Sequence, residues 1–274
     1  MKIKRDVSKN EILLTQETYC QKVLERFEMV DCHPSATSLE PETKLAKSDQ
    51  CDYLPYQSLI GSLNYLAVAT RPDIAHAVSF LSQFNTCFNH THYNAAKRVL
   101  RYLKGTVSLG LCFKKVAHPR LVCYSDSDWA NCPVDRRSYT GFVTLYAGTA
   151  ISWESRKQRT VALSSTVAEY MALSDCTKEA LYMSRLLKEL CDETSVTEIF
   201  CDNRGAIELS INPVYRKRTK HIHTRYHFIR ECAVDKRVKF SYCCTAEMPA
   251  DVLTNCKSLP KIKHEFCTKF LGVK

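Results

Sequence analysis

The sequence contains little glycine, seven residues in 274, and none of them falls in a GxGxxG or GxxxxGK[ST] pattern. Such glycine-rich loops cradle the phosphates of dinucleotides and nucleoside triphosphates, so we expect no nucleotide cofactor. No apolar run approaches the roughly 18 residues that cross a bilayer, and we expect no membrane partner. The N-terminal stretch also lacks the apolar core and small-residue cleavage site of a signal peptide, which argues against secretion.

Cysteine is abundant, but its arrangement is not that of a disulfide framework. The 15 cysteines are odd in number and scattered along the chain. Without a secretory signal, free thiols in a reducing compartment are the more usual outcome. The protein is therefore expected inside the cell.

The charge balance is basic. Lys and Arg number 39 against 29 Asp and Glu, which gives a formal net charge of +10 at pH 7. This balance suits a polyanionic partner, either nucleic acid or an anionic membrane surface. A solvated basic surface explains the same charge equally well. Composition alone does not separate these interpretations.

The pattern of apolar residues divides the chain into two parts. Residues 1–112 favour helices, and the last of these helices places Lys97, Arg101 and Lys104 on one face at i, i+4 and i+7. That face could follow a phosphate backbone, although a solvated helix surface has the same pattern. From about residue 113, strand and helix patterns occur in the order βββ-α-β-α-α-β-α. This order predicts an α/β domain with a mixed sheet.

Three acidic residues stand at positions whose pattern predicts burial. Asp126 interrupts an apolar strand, where a lone charge is costly and needs a partner or a metal ion. Asp128 is two residues further on and faces the same side, so periodicity leaves the choice between them open. Glu169 continues the buried stripe of a long helix and should point toward the sheet. A capping box with Thr166 explains this glutamate equally well.

Two further acids lie where secondary-structure elements end or begin. Asp202 follows a short buried strand, and sites in α/β proteins gather where strands run out. A helix N-cap is the alternative role for this residue. Asp251 lies in the first turn of a short helix opened by Pro249, where a negative charge is favourable in itself. Each acid, taken alone, has a purely structural explanation.

A series of short strings decides between these interpretations. In chain order they are Tyr124–Trp129 (YSDSDW), Asp135–Ser138 (DRRS), Ile151–Trp153 (ISW), Val161–Tyr170 (VALSSTVAEY), Cys201–Asn203 (CDN), Arg218–Ile222 (RTKHI), Arg225–Glu231 (RYHFIRE) and Ala250–Thr254 (ADVLT). Together they resemble the ribonuclease H (RNase H) domain of copia-type LTR-retrotransposon Pol polyproteins, over about residues 118–256. So many strings in one order are far more specific than any single motif.

The first part of the chain also resembles this polyprotein. Its strings are Leu14–Gln16 (LTQ), Val23–Phe27 (VLERF), Tyr56–Tyr65 (YQSLIGSLNY), Thr70–Ile74 (TRPDI) and Ala96–Gly105 (AKRVLRYLKG). They are similar to the segment between the polymerase palm and RNase H. The resemblance therefore implies a helical thumb or connection region at 1–112, an RNase H domain at 113–257 and a C-terminal tail at 258–274.

The resemblance implies an RNase H-like α/β fold with a mixed five-stranded sheet flanked by helices. It also implies an enzyme that hydrolyses the RNA strand of RNA/DNA hybrids. The catalytic acids would be Asp126, Glu169, Asp202 and Asp251, holding two Mg²⁺ or Mn²⁺ ions, which prefer oxygen ligands. In the family, the residue at Asp126 bridges both ions, those at Glu169 and Asp202 hold one, and that at Asp251 holds the other. The expected location is the cytoplasm, within a virus-like particle, or the nucleus.

Basic residues of the second part are the expected contacts to the phosphates of the hybrid. They are Arg216, Lys217, Arg218, Lys220, Arg225 and Arg230. A solvated basic face is the alternative. A zinc site is a weaker interpretation of a neighbouring group, His221, His223, His227 and Cys232. Two of these histidines have the i, i+4 spacing of metal ligands, but no CxxC pair accompanies them, so structural roles are more typical.

The chain departs from the family pattern in ways that bear on activity. The polymerase palm, fingers and paired aspartates would lie before Met1, so this chain alone is not expected to copy nucleic acid. The remaining reverse transcriptase domains, acting in trans, are expected partners. Asn255 stands where the family usually has Lys, and residues 245–249 lack the His that many RNases H carry there. The alternative function is thus a non-catalytic nucleic-acid-binding remnant, while an integrase-like DNA nuclease disagrees with the order of the acids.

Overall fold

The computed structural model describes residues 1–40, 45–48, 52–193, 195–211, 223–254 and 261–274, with the backbone alone at 223–226 and 262. Within these ranges the chain folds around three buried apolar clusters. One lies in the first part and one between the large sheet and its helices, while the third includes residues of both parts.

The first part is mainly helical, as predicted, but it also contains a small sheet. Strands β1 (Lys2–Asp6), β2 (Glu11–Thr15) and β3 (Gly110–Lys114) pair antiparallel in that order. The first strand, KIKRD, is exposed and highly charged, so no apolar alternation marks it in the sequence. The helices that pack on one another are α1 (Glu17–Arg26), α2 (Tyr56–Ala69), α3 (Ala75–Ser82) and α4 (His90–Gly105).

A fully buried ion pair ties these helices together. Arg71 and Asp73 flank Pro72, which opens the 3-10 helix Pro72–Ile74. The guanidinium donates from Nε to Oδ1 at 2.9 Å and from Nη2 to Oδ2 at 2.7 Å. It also donates to the carbonyl and hydroxyl oxygens of Thr106 at 2.9 and 2.7 Å, and the Tyr102 hydroxyl donates to Asp73 at 2.7 Å. The 3-10 helix is thereby fastened to α4.

Both members of this pair keep their charges in spite of burial. Desolvation alone would lower the pKa of Arg71, but the Asp73 carboxylate offsets it and the pKa is raised. Desolvation alone would raise the pKa of Asp73, but Arg71 offsets it and the pKa is lowered. Such pairs are stable only when their remaining donors and acceptors are also satisfied, as they are here by Thr106 and Tyr102.

The second part contains a five-stranded sheet in the order β6-β5-β4-β7-β8. Strands β4 (Leu121–Ser127), β5 (Tyr139–Tyr146) and β6 (Thr149–Lys157) pair antiparallel. Strands β7 (Thr197–Cys201) and β8 (Val238–Tyr242) continue the sheet parallel to β4. The mixed five-stranded sheet predicted from the sequence is confirmed, and β4 lies at its centre.

Helix α5 (Ser165–Cys191) packs across β4, β5 and β7 on one face of this sheet. One stripe of its buried side chains is small, namely Ala168, Ala172, Cys176 and Ala180. Small side chains let the helix axis lie close to the strands. Helices α6 (Arg204–Ile211) and α7 (His223–Val234) pack beside α5. None of the helices in the described ranges is both long and apolar enough to cross a membrane.

The other face of the sheet is covered by the 3-10 helix Pro249–Leu253 and by α8 (Lys261–Phe270). Helix α8 lies in the stretch predicted as a tail, yet Cys267 within it and Leu271 just after it are fully buried. Just beyond it, Val273 forms a β-bridge to Leu111 of β3. The domain boundaries remain a prediction, but β3 spans the proposed division at residue 112 and the end of the chain is packed.

Candidate active site

Asp126 is held on the central strand of the sheet by its pairing with β5. It lies near the end of β4, is 8% exposed, and is opposite Gly141 of β5. A Cβ atom at Gly141 would lie 2.6 Å from Thr254 Cγ2 and 2.8 Å from Leu253 Cβ. The missing side chain therefore lets residues 253–254 pack directly on the sheet. As a result, the Thr254 hydroxyl reaches Asp126 and donates to its Oδ2 atom.

Asp128 has a different environment from Asp126. It lies beyond the end of β4, is half-buried, and accepts a hydrogen bond from the backbone N–H of Tyr139 at the start of β5. This contact holds the loop between the two strands. The structure therefore gives Asp128 a backbone partner and places Asp126 among the other acids.

Glu169 points toward the sheet and not along its own helix. Helix α5 is capped by Ser164, whose Oγ accepts the backbone N–H of Val167 at 3.3 Å. The capping box with Thr166 is thus not the arrangement observed. Glu169 is 6% exposed, and its Oε1 accepts the backbone N–H of Ser127 at 3.2 Å. Its carboxylate is fastened to the residue next to Asp126.

Asp202 and Asp251 complete the group of four predicted acids. Asp202 follows β7 and is half-buried, and the Thr245 hydroxyl donates to its Oδ2 at 2.7 Å. Asp251 lies in the 3-10 helix Pro249–Leu253 and is 5% exposed. Its Oδ2 accepts from the ammonium of Lys263 on α8. Four separate elements thus supply the four carboxylates.

The acids act on one another electrostatically. Burial raises the pKa of Asp126 well above its usual value, and the charges of Asp251 and Asp202 raise it further. Burial, followed by Asp126 and Asp202, likewise raises the pKa of Glu169. Burial raises the pKa of Asp251 although Lys263 opposes the change, and Asp202 adds to it. The apolar surroundings and mutual repulsion both disfavour four charged carboxylates without a counter-ion.

One corner of the cluster has the dimensions of a metal site. Among the described residues, one ligand atom each of Glu169, Cys201 and Asp202 lie within 4.8 Å of one another. The Cys201 thiol lies 3.8 Å from Glu169 Oε2, and burial raises its pKa well above its usual value. The two carboxylates are hard oxygen donors of the kind that Mg²⁺ and Mn²⁺ take. The donor set therefore fits a divalent cation.

Sequence reasoning missed three side chains of this cluster. Cys201 directly precedes Asp202 in the CDN string, and that adjacency was its only signal. Thr254 closes the ADVLT string, so its nearness to Asp251 could have indicated it. Lys263 lies 12 residues from Asp251 in a stretch without a recognised string. Only the packing of α8 brings it to the acids.

The structure describes only some of the predicted phosphate contacts. Lys97, Arg101 and Lys104 are half-buried on α4. The ammonium of Lys97 lies 4.9 Å from the centre of the Tyr93 ring, and Arg101 Nε donates to the His33 carbonyl at 2.8 Å. These two therefore have partners within the chain. Arg230 is half-buried on α7. Arg216, Lys217, Arg218 and Lys220, and the side chain of Arg225, lie outside the described residues.

The zinc interpretation gains no support from the described part of the chain. His227 is exposed, whereas Cys232 is fully buried and its sulfur accepts from Arg237 Nη2 at 2.8 Å. His221 and the side chain of His223 lie outside the described residues. Within the described ranges, the cluster with metal-ligand spacing is the one at Glu169.

The raised pKa of Glu169 predicts how the metal-free chain responds to pH. The usual pKa of a glutamate is 4.5, and the pKa of Glu169 in the folded chain is higher. At a pH between these two pKa values, the folded state therefore binds more protons than the unfolded state. The free energy of unfolding must then fall as the pH rises through that window, by roughly 1.4 kcal/mol per unit of separation. Below pH 4.5 the group contributes nothing to this slope.

Thermal unfolding in a chelator, from pH 4 to pH 8, measures this effect. Glu169→Gln keeps an oxygen for the Ser127 N–H but removes the titration. We expect the variant to gain stability over the natural chain as the pH rises. If the melting temperatures of the two chains differ by the same amount at every pH, Glu169 does not lie in a buried site where neighbouring acids repel its charge.

Comparison with known proteins shows which proteins the chain is related to. No protein-family model matches it. It is 42% identical over its whole length to the Retrovirus-related Pol polyprotein from transposon TNT 1-94 of Nicotiana tabacum, covering 21% of that protein. It is 38% identical over 95% of its length to the corresponding polyprotein of transposon RE2 of Arabidopsis thaliana, covering 18% of that protein. The chain thus spans about a fifth of the length of these relatives.

A solved structure, LC11-RNase H1 in complex with an RNA/DNA hybrid, matches half of the chain. The identity is 18% and the TM-score 0.37, with 50% of this chain and 94% of that chain covered. The RNase H-like fold expected from the sequence agrees with the strand order β6-β5-β4-β7-β8 and its mixed pairing. The chain belongs to the family of copia-type retrotransposon Pol polyproteins, with an RNase H-like fold in its second part.

Proposed function

We propose that this chain is a metal-dependent endonuclease that hydrolyses the RNA strand of RNA/DNA hybrids, as the RNase H part of a Pol polyprotein. The observation that carries the proposal is the convergence of Asp126, Glu169, Asp202 and Asp251 from four elements into one electrostatically coupled cluster. A fold maintained only for stability would gain nothing from such a cluster, because buried like charges destabilise it.

The acids divide naturally between two cation positions. Glu169 and Asp202 would hold a divalent ion at the corner beside β7, Asp251 would serve a second position, and Asp126 would be shared between the two. When bound, such ions activate water and stabilise the leaving oxygen of a phosphodiester. Oxygen ligation favours Mg²⁺ or Mn²⁺.

The rest of the site holds the carboxylates in place. The Ser127 N–H fixes Glu169, the Thr254 hydroxyl fixes Asp126, and the Thr245 hydroxyl fixes Asp202. Each contact leaves further lone pairs of its carboxylate for a cation. Ligands that are oriented beforehand lose little freedom when a cation binds, which favours both affinity and reaction rate.

Selection of a hybrid would depend on the shape of the duplex and on the 2′-hydroxyls of the strand that is cut. The net charge of +10 supports attraction to a polyanion, and this attraction should weaken as salt is added. Remaining reverse transcriptase domains, supplied in trans, are a further proposed partner.

Incubation of the full chain with a labelled RNA/DNA hybrid and Mg²⁺ or Mn²⁺ tests the proposal. We expect cleavage of the RNA strand alone, with an all-DNA duplex left intact, and loss of cleavage in Asp202→Asn. Asp192→Asn is the matched control, since Asp192 follows the far end of α5 in a left-handed conformation that asparagine tolerates.

Each outcome of this assay separates two functions. Cleavage by the natural chain that Asp202→Asn abolishes supports the nuclease. Salt-sensitive binding of the hybrid without any turnover would instead establish the non-catalytic nucleic-acid-binding remnant. Equal cleavage by Asp202→Asn would overturn the assignment of the site.

A further inference from the structure

A lysine from outside the predicted domain is seated in the acid cluster. The Lys263 ammonium contacts Asp251 Oδ2 and donates to the Thr245 carbonyl at 2.6 Å. Its side chain is 21% exposed and that of Asp251 is 8% exposed. Thr245 is also the residue whose hydroxyl donates to Asp202. Lys263 therefore contacts the cluster at two points, one of them an acid itself.

The position of Lys263 is set by the packing of α8 and not by its own flexible side chain. Its neighbour His264 is 5% exposed, and its ring lies edge-on to Tyr102 with centroids 5.3 Å apart. Cys267, further along the helix, and Leu271, just beyond its end, are fully buried. The backbone at Lys263 is thus fixed against α4 and the sheet. A lysine anchored in this way loses less freedom on pairing than a surface lysine.

The charges of the cluster divide between two corners. Glu169, Cys201 and Asp202 bring ligand atoms within 4.8 Å of one another, and the repulsion between Glu169 and Asp202 is not offset by a contacting cation in the described residues. At Asp251 the ammonium of Lys263 already supplies a positive charge in direct contact with the carboxylate. The first corner needs a cation from solution, whereas the second has one from the chain.

We propose that Lys263 takes the place of the second divalent ion, so that the chain binds one ion tightly, at the corner formed by Glu169 and Asp202. This inference rests on the proposed function of the site. An ammonium carries three N–H donors, of which Asp251 and Thr245 take two, and the third is left for a phosphate oxygen of the substrate. A divalent ion near Asp251 would have to displace the ammonium or bind beside its positive charge, and either route weakens the binding.

Titration of the full chain with Mn²⁺, followed by calorimetry and by the electron paramagnetic resonance signal of free Mn²⁺, counts the bound ions. We expect one tightly bound ion in the natural chain and two in Lys263→Met, where the charge is removed but the length is kept. Lys263→Arg, which keeps the charge, should bind one. Lys261→Met is the matched control on the same helix, because Lys261 is exposed and pairs with Glu265 at 3.8 Å; it should also bind one.

Two tight ions in the natural chain would overturn the proposal, as would a single ion in a folded Lys263→Met. Even if Lys263→Met does not fold, two tight ions in the natural chain or in Lys263→Arg would still overturn the proposal. The proposed function is tested separately. If the chain binds one ion but does not cleave a hybrid, this inference stands and the proposed nuclease activity is wrong. If the chain cleaves a hybrid and binds two ions tightly, the nuclease activity stands and this inference is wrong.

Discussion

Replacing Asp126 with asparagine is expected to lower the rate of hybrid cleavage by on the order of a thousandfold. Loss of a residue that merely orients a metal ligand costs about 10- to 100-fold, and a direct ligand should cost more. Asparagine keeps an oxygen that can accept from Thr254, so the local hydrogen bond survives while the charge is lost. Single-turnover cleavage at saturating Mn²⁺ measures the change.

The matched control is Asp128→Asn, two residues away. Asp128 accepts from the Tyr139 N–H, a role that an asparagine oxygen can fill. We expect less than about a tenfold change in rate, the equivalent of one neutral hydrogen bond. A larger loss of cleavage rate in Asp128→Asn than in Asp126→Asn would make Asp128, and not Asp126, the metal ligand.

The stability of Asp126→Asn should change in the opposite direction to its activity. Burial and the neighbouring acids raise the pKa of Asp126 well above its usual value, so its charge destabilises the metal-free fold at neutral pH. Removing that charge should raise the melting temperature in a chelator. It should also reduce the stabilisation that Mn²⁺ gives to the natural chain, since a ligand stabilises the state that binds it.

Replacing Asp73 with asparagine is expected to destabilise the chain by about 3–5 kcal/mol, although the change is isosteric. The guanidinium of Arg71 would stay buried, at 2% side-chain exposure, without its carboxylate partner. Asparagine can accept from one guanidinium nitrogen but cannot balance the charge. For a chain of this size, each kcal/mol lowers the melting temperature by roughly 2–4 °C, and thermal unfolding measures the loss.

A surface pair provides the comparison for this prediction. Arg156 and Asp175 form an ion pair at 3.0 Å, with side chains 45% and 11% exposed. Asp175→Asn should cost no more than about 1 kcal/mol, because water reaches the guanidinium and screens the pair. The double variant Arg71→Met, Asp73→Leu should recover much of the stability lost in Asp73→Asn, since apolar residues often replace a buried pair without loss. If Asp73→Asn has the same melting temperature as the natural chain, the buried pair does not hold α4 to the 3-10 helix.

The sequence was sufficient for the second part of the fold because each element has a local signature. The hairpin of β5 and β6 reads as two apolar β-rich runs around Gly148, which has a φ of 78°. The long run of α5 follows helical periodicity. The first part was harder, since β1 is exposed and its pairing with β2 leaves no apolar alternation. An exposed strand is specified by its partner, which lies elsewhere in the chain.

Sequence alone therefore determined which elements form between residues 113 and 257, which family the strings resemble and which four acids are candidates, because these depend on residue type and local order. It could not choose between a capping role and a sheet-facing role for Glu169, since both use the same spacing. The tertiary structure decided that choice by bringing Ser127 to the carboxylate. It alone also placed Lys263 on Asp251, because contacts between distant segments depend on how helices pack and not on any pattern within them.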